Sequence, residues 1–576
     1  MKLPQKILWF LAFAAGPGLL PAAPLAPPPD ERFGVMTHFA QGWDPALIPL
    51  IAAGGIAQVR DELYWASVEA EKGVFKFSAA YDRYLDGLAQ HDISPLIVLS
   101  FENHHYDGGA TPYTAEGFAA YARYAVEVLR HGGPRVKAVE IWNEYNGTFN
   151  HGPASEDRAR TYLAMLRVVY AAIKQERPDV IVLGGATAGV PLPYWEKLLA
   201  GGGLDAMDAL SVHPYHYASP PEEGLEDDIA GLQALVRRYH SGATKPIWVT
   251  EIGWQLKPAT APGDLVIDEA VQAKFLVRAY ALLLAADVPR IYWYLFRDDG
   301  PFTMGLVRND AARSPKPAYH ALATLIRQLR GARFLRREAT PADLYSLVFR
   351  RPGGEEVRVL WSLSPRQLKL TGATGAADLA GRPVKLAAAL TLDDSPLFVT
   401  GALRGLPPAP PAQGKVLADA VRDFSGTQTG PWSYGAFAGD TVFRPLPHYE
   451  VTDWKAMWTG EFPYIYITAG EQHPSVLDQR PVAAVRRWTA PAAGTVRISG
   501  SFRCGTDGDG VGVALFVDGQ RRWRKLLGGG AAVVENFDLV ETVRAGTTID
   551  FAVDPGPAAS IDYDVTAVAI MIKSER

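Results

Sequence analysis

The chain contains one cysteine, Cys504, in 576 residues. A single cysteine excludes an intrachain disulfide and a metal site built from cysteine thiolates. Cys504 lies in an apolar, strand-like segment, so we interpret it as a small buried side chain rather than a nucleophile.

The chain also has little net charge and no run of like charges. Its formal net charge is −5 at pH 7, a small value for this length. Nucleic-acid phosphates require a basic patch on their partner, so we expect no nucleic-acid partner. The apolar content of 48% is enough for sizeable buried cores, and the length fits roughly three or four domains.

Long apolar runs are absent except at the N-terminus. There, Lys2 and Lys6 precede an apolar stretch at residues 7–15, and small residues continue to Ala26. This order is typical of a secretory signal peptide, and the stretch is too short to span a bilayer. We therefore expect residues 1–26 to be a cleaved signal peptide. The mature protein is then secreted or periplasmic, without a membrane span; a retained membrane anchor is the alternative.

Short apolar segments alternate with helix-period segments between residues 33 and 329. The apolar segments are 33–37, 56–60, 95–100, 138–142, 180–183, 209–212, 247–250 and 290–295. Apolar strands separated by helices are typical of a parallel sheet covered by helices, and eight such units predict a closed (β/α)8 TIM barrel. A doubly wound open sheet is the alternative, but it normally carries a Gly-rich phosphate loop after its first strand, which this sequence lacks.

The pattern predicts five regions in order along the chain. They are a signal peptide (1–26), a catalytic barrel (27–330), a small β domain (331–403), a Pro-rich linker (404–415) and a β-sandwich or jelly roll (416–576). The small domain should contain a hairpin formed by residues 344–350 and 356–362. The last region is rich in aromatic residues, which favours either a carbohydrate-binding module or a structural or adhesion domain.

Five aspartates of the last region could supply oxygen ligands to calcium: Asp507, Asp509, Asp554, Asp562 and Asp564. Their spacing fits no EF-hand. We therefore expect them to serve in turns.

Two glutamates end predicted strands four and seven of the barrel. Glu144 lies in Ile-Trp-Asn-Glu-Tyr-Asn and Glu251 in Trp-Val-Thr-Glu-Ile-Gly-Trp. A barrel brings the C-terminal ends of its strands to one face. One carboxylic acid can protonate a glycosidic oxygen while a second carboxylate attacks the anomeric carbon or activates water. A salt bridge or a helix cap is the alternative role for either glutamate alone.

These motifs resemble glycoside hydrolase clan A. The stretches at 208–215 (Asp-Ala-Leu-Ser-Val-His-Pro-Tyr) and 302–319 most resemble its family 39-like members, which include secreted bacterial glycosidases, and the resemblance spans about residues 33–330. It implies a retaining enzyme with a covalent glycosyl-enzyme intermediate. Glu144 is then the acid/base and Glu251 the nucleophile, and no cofactor or metal is expected.

The resemblance also assigns neighbouring residues to substrate binding. Asn143 corresponds to a residue that bonds the sugar 2-hydroxyl, and Trp293 to a platform for the sugar ring. Arg60 would keep Glu251 ionised. Two further residues, His213 and Tyr215, end strand six, where Tyr215 can donate a hydrogen bond to the nucleophile. For Arg60, His213, Tyr215 and Trp293, purely structural roles are the alternative.

Three more polar residues follow predicted strands one and three at the same end of the barrel. His38, Glu102 and Asn103 are expected to contact sugar hydroxyls or to support the loops. A zinc site with the adjacent His104 and His105 is an alternative, but neighbouring side chains point apart in an extended loop.

The expected function is a secreted, retaining glycoside hydrolase that cleaves a β-linked polysaccharide or oligosaccharide. A transglycosylase and a non-catalytic glycan-binding or adhesion protein are the alternatives. Retention requires carboxyl groups about 5–5.5 Å apart. It also requires a protonated Glu144 and an ionised Glu251, so we expect Glu251 to lie closer to Arg60. The sugar, its linkage and the oligomeric state are left open.

Overall fold

The computed structural model describes residues 30–575 except 218, 260–264, 386–389, 410–413, 453, 506–508, 529–532 and 558. The predicted signal peptide and Asp507 therefore lie outside the described residues. Within these residues, no helix has the length and apolar character needed to cross a membrane.

Eight parallel strands close into a barrel in sequential order, which confirms the predicted TIM barrel. The first strand pairs with the last, with Phe33 opposite Ile291. The second, fifth and seventh strands end at Tyr64, Ala188 and Ile252, two or more residues beyond the ends that the apolar pattern predicted. The strands are β1 (Phe33–Thr37), β2 (Gln58–Tyr64), β3 (Ser94–Ser100), β4 (Ala138–Ile141), β5 (Ile181–Ala188), β6 (Ala209–His213), β7 (Ile247–Ile252) and β8 (Ile291–Trp293).

Helices surround the barrel, and several of them begin at side-chain caps. Thr114, Asp157 and Asp268 each accept a hydrogen bond from a backbone N–H in the first turn of α4, α5 and α8, which satisfies an otherwise unpaired donor. The helices are α1 (Ile48–Ala53), α2 (Trp65–Val68), α3 (Ala79–Gln90), α4 (Ala115–Gly132), α5 (Arg158–Glu176), α6 (Leu192–Ala200), α7 (Leu225–Tyr239), α8 (Glu269–Ala285) and α9 (Pro317–Leu329).

A small β domain follows the barrel. Its main sheet has the order β13-β15-β11-β10-β9, and β12 pairs with β14. The predicted hairpin is confirmed, with Leu344 opposite Ser362. The strands are β9 (Arg333–Arg337), β10 (Leu344–Arg350), β11 (Glu356–Ser362), β12 (Arg366–Leu368), β13 (Thr371–Ala377), β14 (Leu390–Leu392) and β15 (Leu397–Arg404).

Part of the small β domain packs into the apolar core of the barrel, and the rest forms a smaller cluster that includes Leu344 and Val399. Phe349, Val359 and Trp361 of the domain are fully buried within the barrel's cluster. The Trp361 indole also donates to Glu222 at 2.9 Å, and Glu222 pairs with Arg278 of α8 at 2.5 Å. Helix α8 is therefore buried around most of its circumference.

The C-terminal region is a β-sandwich of two antiparallel sheets, as predicted. Its core is a separate cluster that includes Trp432, Trp488 and Phe551. An exposed ion pair, Arg503 with Glu223 at 2.6 Å, connects it to the barrel. Its strands are β16 (Val416–Asp419), β17 (Trp432–Ala438), β18 (Arg444–Pro445), β19 (His448–Val451), β20 (Ala456–Thr459), β21 (Tyr466–Ile467), β22 (Glu471–His473), β23 (Ser475–Leu477), β24 (Arg480–Thr489), β25 (Gly494–Cys504), β26 (Val511–Val517), β27 (Gln520–Leu527), β28 (Val533–Val543), β29 (Thr548–Asp554) and β30 (Thr566–Ser574).

The two cores predict different responses to truncation. Removing residues 415–576 should leave the melting of the remaining protein nearly unchanged, because the sandwich has its own core. Ending the chain at residue 330 should prevent folding, because apolar barrel surface becomes exposed. Trp361→Ala should destabilise the barrel by about 3–5 kcal/mol. Calorimetry of the three proteins checks this, and a well-folded protein ending at residue 330 would contradict the shared core.

Candidate active site

Glu144 and Glu251 face one cleft at the C-terminal end of the barrel. Glu251 lies within β7, whereas Glu144 follows β4 in a left-handed turn with φ of 46°. A ligand atom of each glutamate and a ring nitrogen of His213 lie within 4.8 Å of one another. The two carboxylates are therefore close enough to act on the same sugar carbon, for which retaining glycosidases hold their carboxyl groups about 5–5.5 Å apart.

The cleft has aromatic walls and polar groups at its base. Such a surface suits a sugar, whose C–H faces stack on rings while its hydroxyls bond to polar atoms. The lining residues are Met36, His38, Gln41, Glu62, Tyr64, Phe101, Asn143, Glu144, Phe149, Tyr215, Tyr217, Glu251, Tyr294, Phe302 and Met304. Another cavity lies at the opposite, N-terminal end of the barrel beside Gln58, Ser94 and Lys137, where barrel enzymes do not place their chemistry.

The buried Arg60 guanidinium organises the base of the cleft. It donates to Glu251 Oε1 at 2.5 Å and to Glu140 Oε2 at 2.6 Å. Its remaining nitrogen donates to Asn143 Oδ1 at 2.8 Å. The second Glu251 oxygen accepts a hydrogen bond from the Tyr215 hydroxyl at 2.7 Å. Each oxygen of Glu251 therefore accepts a hydrogen bond.

Glu140 also belongs to this network, although the sequence pattern did not predict a functional role for it. It is fully buried in β4 and accepts hydrogen bonds from Ser211 and from Thr250, the latter at 3.1 Å. Burial alone would raise the pKa of Glu140, but the Arg60 charge outweighs it and the pKa falls to about 2. The sequence does contain one indication of this role. Glu140 interrupts the apolar segment Ala-Val-Glu-Ile, and a charged residue is rarely buried without a partner.

His213 holds Glu144 rather than substrate, which corrects its assignment to sugar binding. Its side chain is fully buried, and Nδ1 lies 3.0 Å from Glu144 Oε1. Burial lowers the pKa of His213, but the Glu251 charge and the contacts with Glu140 and Glu144 outweigh it and raise the pKa to about 9. The imidazole is therefore a cation at neutral pH. The trio is close enough to ligate a metal, and a metal ion would have to displace the imidazole proton.

We expected Glu144 to hold a proton in the free cleft, but its pKa is lowered rather than raised. Burial raises its pKa, but the hydrogen bond with His213 and the charges of His213 and Arg60 outweigh burial and lower it. The proton therefore resides on His213, and the two groups form one protonated pair.

Trp293 does not line the cleft, contrary to its assignment as a sugar platform. It is fully buried, its indole donates to the Met304 carbonyl at 2.7 Å, and it packs on Trp254. The next residue, Tyr294, lines the cleft instead. Successive side chains in extended backbone point to opposite sides, so Trp293 points away from the cleft that its neighbour Tyr294 lines.

Glu102 and Asn103 are also absent from the described residues that line the cleft. Asn103 is buried, donates to the Glu69 carbonyl at 2.9 Å and accepts from the His105 amide at 3.0 Å. These two bonds fix the loop after β3, which is the structural alternative to sugar contact. His38 does line the cleft, where its Nδ1 lies 3.3 Å from Asp299.

Glu62 and Tyr217 line the cleft but were missed in the sequence. Burial and the Glu251 charge together raise the pKa of Glu62 to about 7 against the opposing charge of Arg60. Glu62 lies beyond the predicted end of strand two at Arg60, so its location became evident only from the longer strand. Tyr217 stacks on Tyr215 with ring centroids 4.7 Å apart.

We expect Glu140→Gln to reduce the free energy of unfolding at pH 7 by about 3–5 kcal/mol, because it removes one partner of a buried ion pair. The pKa of Glu140 is about 2 in the folded protein, below its ordinary 4.5. Wild-type stability from this group is therefore present above pH 4.5 and is lost as pH falls towards 2. The variant should lack this acid-dependent loss. Urea unfolding across this range checks both effects.

Glu127→Gln is the matched control, because Glu127 pairs with Arg130 at 2.7 Å on the exposed surface of α4. It should cost less than about 1 kcal/mol. Equal costs for the two variants would contradict a structural role for Glu140.

No family model matches the chain, and no curated protein matches it. Among solved structures, a family 39 glycoside hydrolase from the gut symbiont Bacteroides cellulosilyticus WH2 matches with a TM-score of 0.55 and 24% identity, over 65% of this chain and 81% of that chain. A GH39 β-xylosidase from Caulobacter crescentus matches with a TM-score of 0.46 and 19% identity, over 66% and 98% of the two chains. A GH39 enzyme from Xanthomonas axonopodis pv. citri gives 0.44 and 14%, over 92% and 96%. The first match shows that this chain has the fold of a family 39 glycoside hydrolase, as its motifs predicted.

Proposed function

We propose that the protein is a retaining glycoside hydrolase in which Glu251 is the nucleophile and Glu144 the acid/base. The observation that carries the proposal is the approach of the two carboxylates within 4.8 Å in one aromatic-lined cleft. Their different partners support different roles, because Glu251 is bonded to Arg60 and Tyr215 while Glu144 is bonded to His213. The fold of a family 39 glycoside hydrolase supports the same reading.

In the first step, a Glu251 oxygen attacks the anomeric carbon and the bond to the leaving oxygen breaks. The leaving oxygen takes the proton of the His213–Glu144 pair. The Glu251 charge is the largest contribution that raises the pKa of His213. Because that charge disappears as the ester bond forms, the His213 pKa falls and its proton passes to Glu144. Nucleophilic attack and protonation of the leaving group are therefore coupled.

In the second step, Glu144 accepts a proton from a water molecule, which attacks the anomeric carbon. The bond to Glu251 breaks, and the nucleophile returns to its ionised form beside Arg60 and Tyr215. Two displacements at the same carbon retain the anomeric configuration. A sugar hydroxyl in place of water would give the transglycosylase alternative.

We propose a β-linked glycan as the substrate, and the charges of the cleft favour a neutral one. Four carboxylates, namely Glu62, Glu140, Glu144 and Glu251, lie at its base or beneath it, and Arg60 and His213 are the two cations among them. An excess of negative charge disfavours a uronic acid through like-charge repulsion. The half-exposed rings of Tyr217 and Phe302 offer stacking surfaces at the rim.

We also propose that the protein acts outside the cytoplasm and that its sandwich binds glycans. The first part depends on the signal-like residues 1–26. The second is supported by exposed aromatic side chains on the sandwich, Trp454 at 51% and Tyr464 at 75% exposure, which are suited to sugar stacking.

Substitution of the two glutamates tests the mechanism. We expect Glu144→Gln to lower kcat by about 10²–10⁴-fold and Glu251→Gln to abolish turnover. Azide should restore activity to Glu144→Ala with release of a β-glycosyl azide, because the small anion replaces the water that needs the base. Hydrolysis of a glycan panel, with the product anomer followed by NMR, is the measurement.

Glu102→Gln is the matched control, because it changes a carboxylate at the same barrel end outside the cleft lining, and its activity should be unchanged. An inverted product would contradict the double displacement. Binding without hydrolysis across the panel would favour the non-catalytic alternative, and oligosaccharide extension would favour the transglycosylase.

The His213–Glu144 pair also determines the pH profile of kcat/KM. Because the pKa of His213 is about 9, the wild-type basic limb should fall near pH 9, since deprotonation removes the proton that the leaving group needs. In His213→Ala the limb should move down by at least about 1 pH unit, because Glu144 alone then carries this proton. Kinetics on an aryl glycoside from pH 4 to 10 check this, and an unmoved basic limb would contradict proton sharing.

A further inference from the structure

Three aromatic side chains form a continuous wall on one side of the cleft. Tyr64 ends β2, Phe101 follows β3 and Phe149 lies in the loop after β4, and all three line the cleft. The rings of Phe101 and Phe149 are nearly parallel, with centroids 5.4 Å apart and 7° between their planes. The ring of Tyr64 lies 5.8 Å from that of Phe101 at an angle of 35°. We call these three residues the aromatic wall.

The aromatic wall is open to solvent. Tyr64 is 39% exposed and Phe149 is 44% exposed, whereas Glu251 at the base of the cleft is 7% exposed. A contiguous group of exposed apolar side chains at a cleft indicates a surface that a ligand covers. The flat faces of these rings suit the C–H face of a sugar.

The wall is held in place from behind by the buried Trp142. Its indole donates to the Phe149 carbonyl at 3.1 Å, and its ring meets that of Phe101 edge-on at 5.5 Å. The Asn146 side chain donates to the Ala188 carbonyl at 3.1 Å and accepts from the Ala188 amide at 2.9 Å, which fixes the loop that carries Phe149. A surface that is ordered before its ligand arrives loses little entropy on binding.

The wall lies nearer the solvent than the reacting groups. Alternate residues of β2 line the interior, with Arg60 at the base, Glu62 above it and Tyr64 at the rim. Arg60 contacts Glu251, and four residues of parallel strand rise about 13 Å. The ring of Tyr64 therefore lies above the sugar whose anomeric carbon meets Glu251. Beside it, the Glu62 carboxylate accepts a hydrogen bond from the Tyr64 hydroxyl at 3.3 Å.

We propose that the aromatic wall and Glu62 form a subsite for a second sugar residue of the glycan chain, next to the sugar whose bond is cleaved. The subsite depends on the proposed glycosidase function, and it limits the substrate to a chain of at least two neutral sugars. The second sugar stacks on Phe149 and Phe101, while its hydroxyls donate to the Glu62 carboxylate. The wall and the two reacting carboxylates line one cavity, so a single chain can contact both.

Kinetics of the full-length protein on substrates of two lengths test the subsite. The substrates are cellotetraose, laminaritetraose and xylotetraose, each compared with the β-glycosyl fluoride of its sugar, which has no second ring. In Phe149→Ala, the ratio of kcat/KM for the tetrasaccharide to kcat/KM for the fluoride should fall about tenfold or more, because stacking on the second sugar is lost.

Tyr113→Ala is the matched control for Phe149→Ala. Tyr113 is an aromatic side chain of similar exposure, 40%, and is not among the described residues that line the cleft. This variant should keep the wild-type ratio for every pair of substrates.

Binding to the inactive Glu251→Gln variant separates the subsite from the proposed function. Calorimetric titration with the same tetrasaccharides should show about tenfold weaker binding when Phe149→Ala is added. Adding Glu62→Gln instead should weaken binding about threefold or more, because a charge-assisted hydrogen bond becomes a neutral one. Binding to the sandwich does not involve Phe149, so the difference between the variants reports on the cleft.

An unchanged ratio and unchanged affinity in Phe149→Ala, absence of any tetrasaccharide binding included, would overturn the subsite. An equal loss on fluorides and tetrasaccharides would assign the wall to the reacting sugar and overturn the second-sugar position. Unchanged affinity in Glu62→Gln would overturn the hydroxyl contact. If the wild type hydrolyses no glycan but its affinity depends on Phe149, the glycosidase function fails and the subsite stands. Retaining hydrolysis with an unchanged ratio supports the function and removes the subsite.

Discussion

The active end of the barrel depends on one buried cation. The Arg60 guanidinium is fully enclosed, so its charge must be balanced inside the protein, and it is balanced by Glu140 on one side and Glu251 on the other. Its third nitrogen fixes Asn143, the residue before Glu144. A single side chain of β2 therefore contacts Glu251, Glu140 and Asn143 and fixes their relative positions.

The same network explains why two chemically identical groups differ. Glu251 receives donors that do not titrate near neutral pH, namely arginine and tyrosine. Glu144 receives its donor from His213, whose pKa of about 9 lies below those of Arg60 and Tyr215. The proposed nucleophile is thus permanently supplied with positive charge, whereas the proposed acid is supplied with a transferable proton.

The sequence predicted the barrel well because its strands are short, apolar and separated by helices, a pattern that few other folds share. It also predicted which glutamates end the strands, since that depends on local order alone. The sequence did not predict which way a side chain points or which distant residues it contacts. Trp293 and Tyr294 are adjacent, and the local sequence does not show which of them faces the cleft. The role of His213 depends on Glu140, Glu144 and Glu251, which come from distant parts of the barrel.

The division of the chain into two cores also constrains how such a protein can be assembled over generations. The barrel and the small β domain share Trp361, Phe349 and Val359 in one interior, so a recombination event between them would separate complementary halves of that interior. The sandwich is attached through its own core and an exposed Arg503–Glu223 contact. A genetic exchange near residue 414 would therefore preserve both folded bodies, so natural selection can replace the sandwich while the barrel and small domain are inherited together.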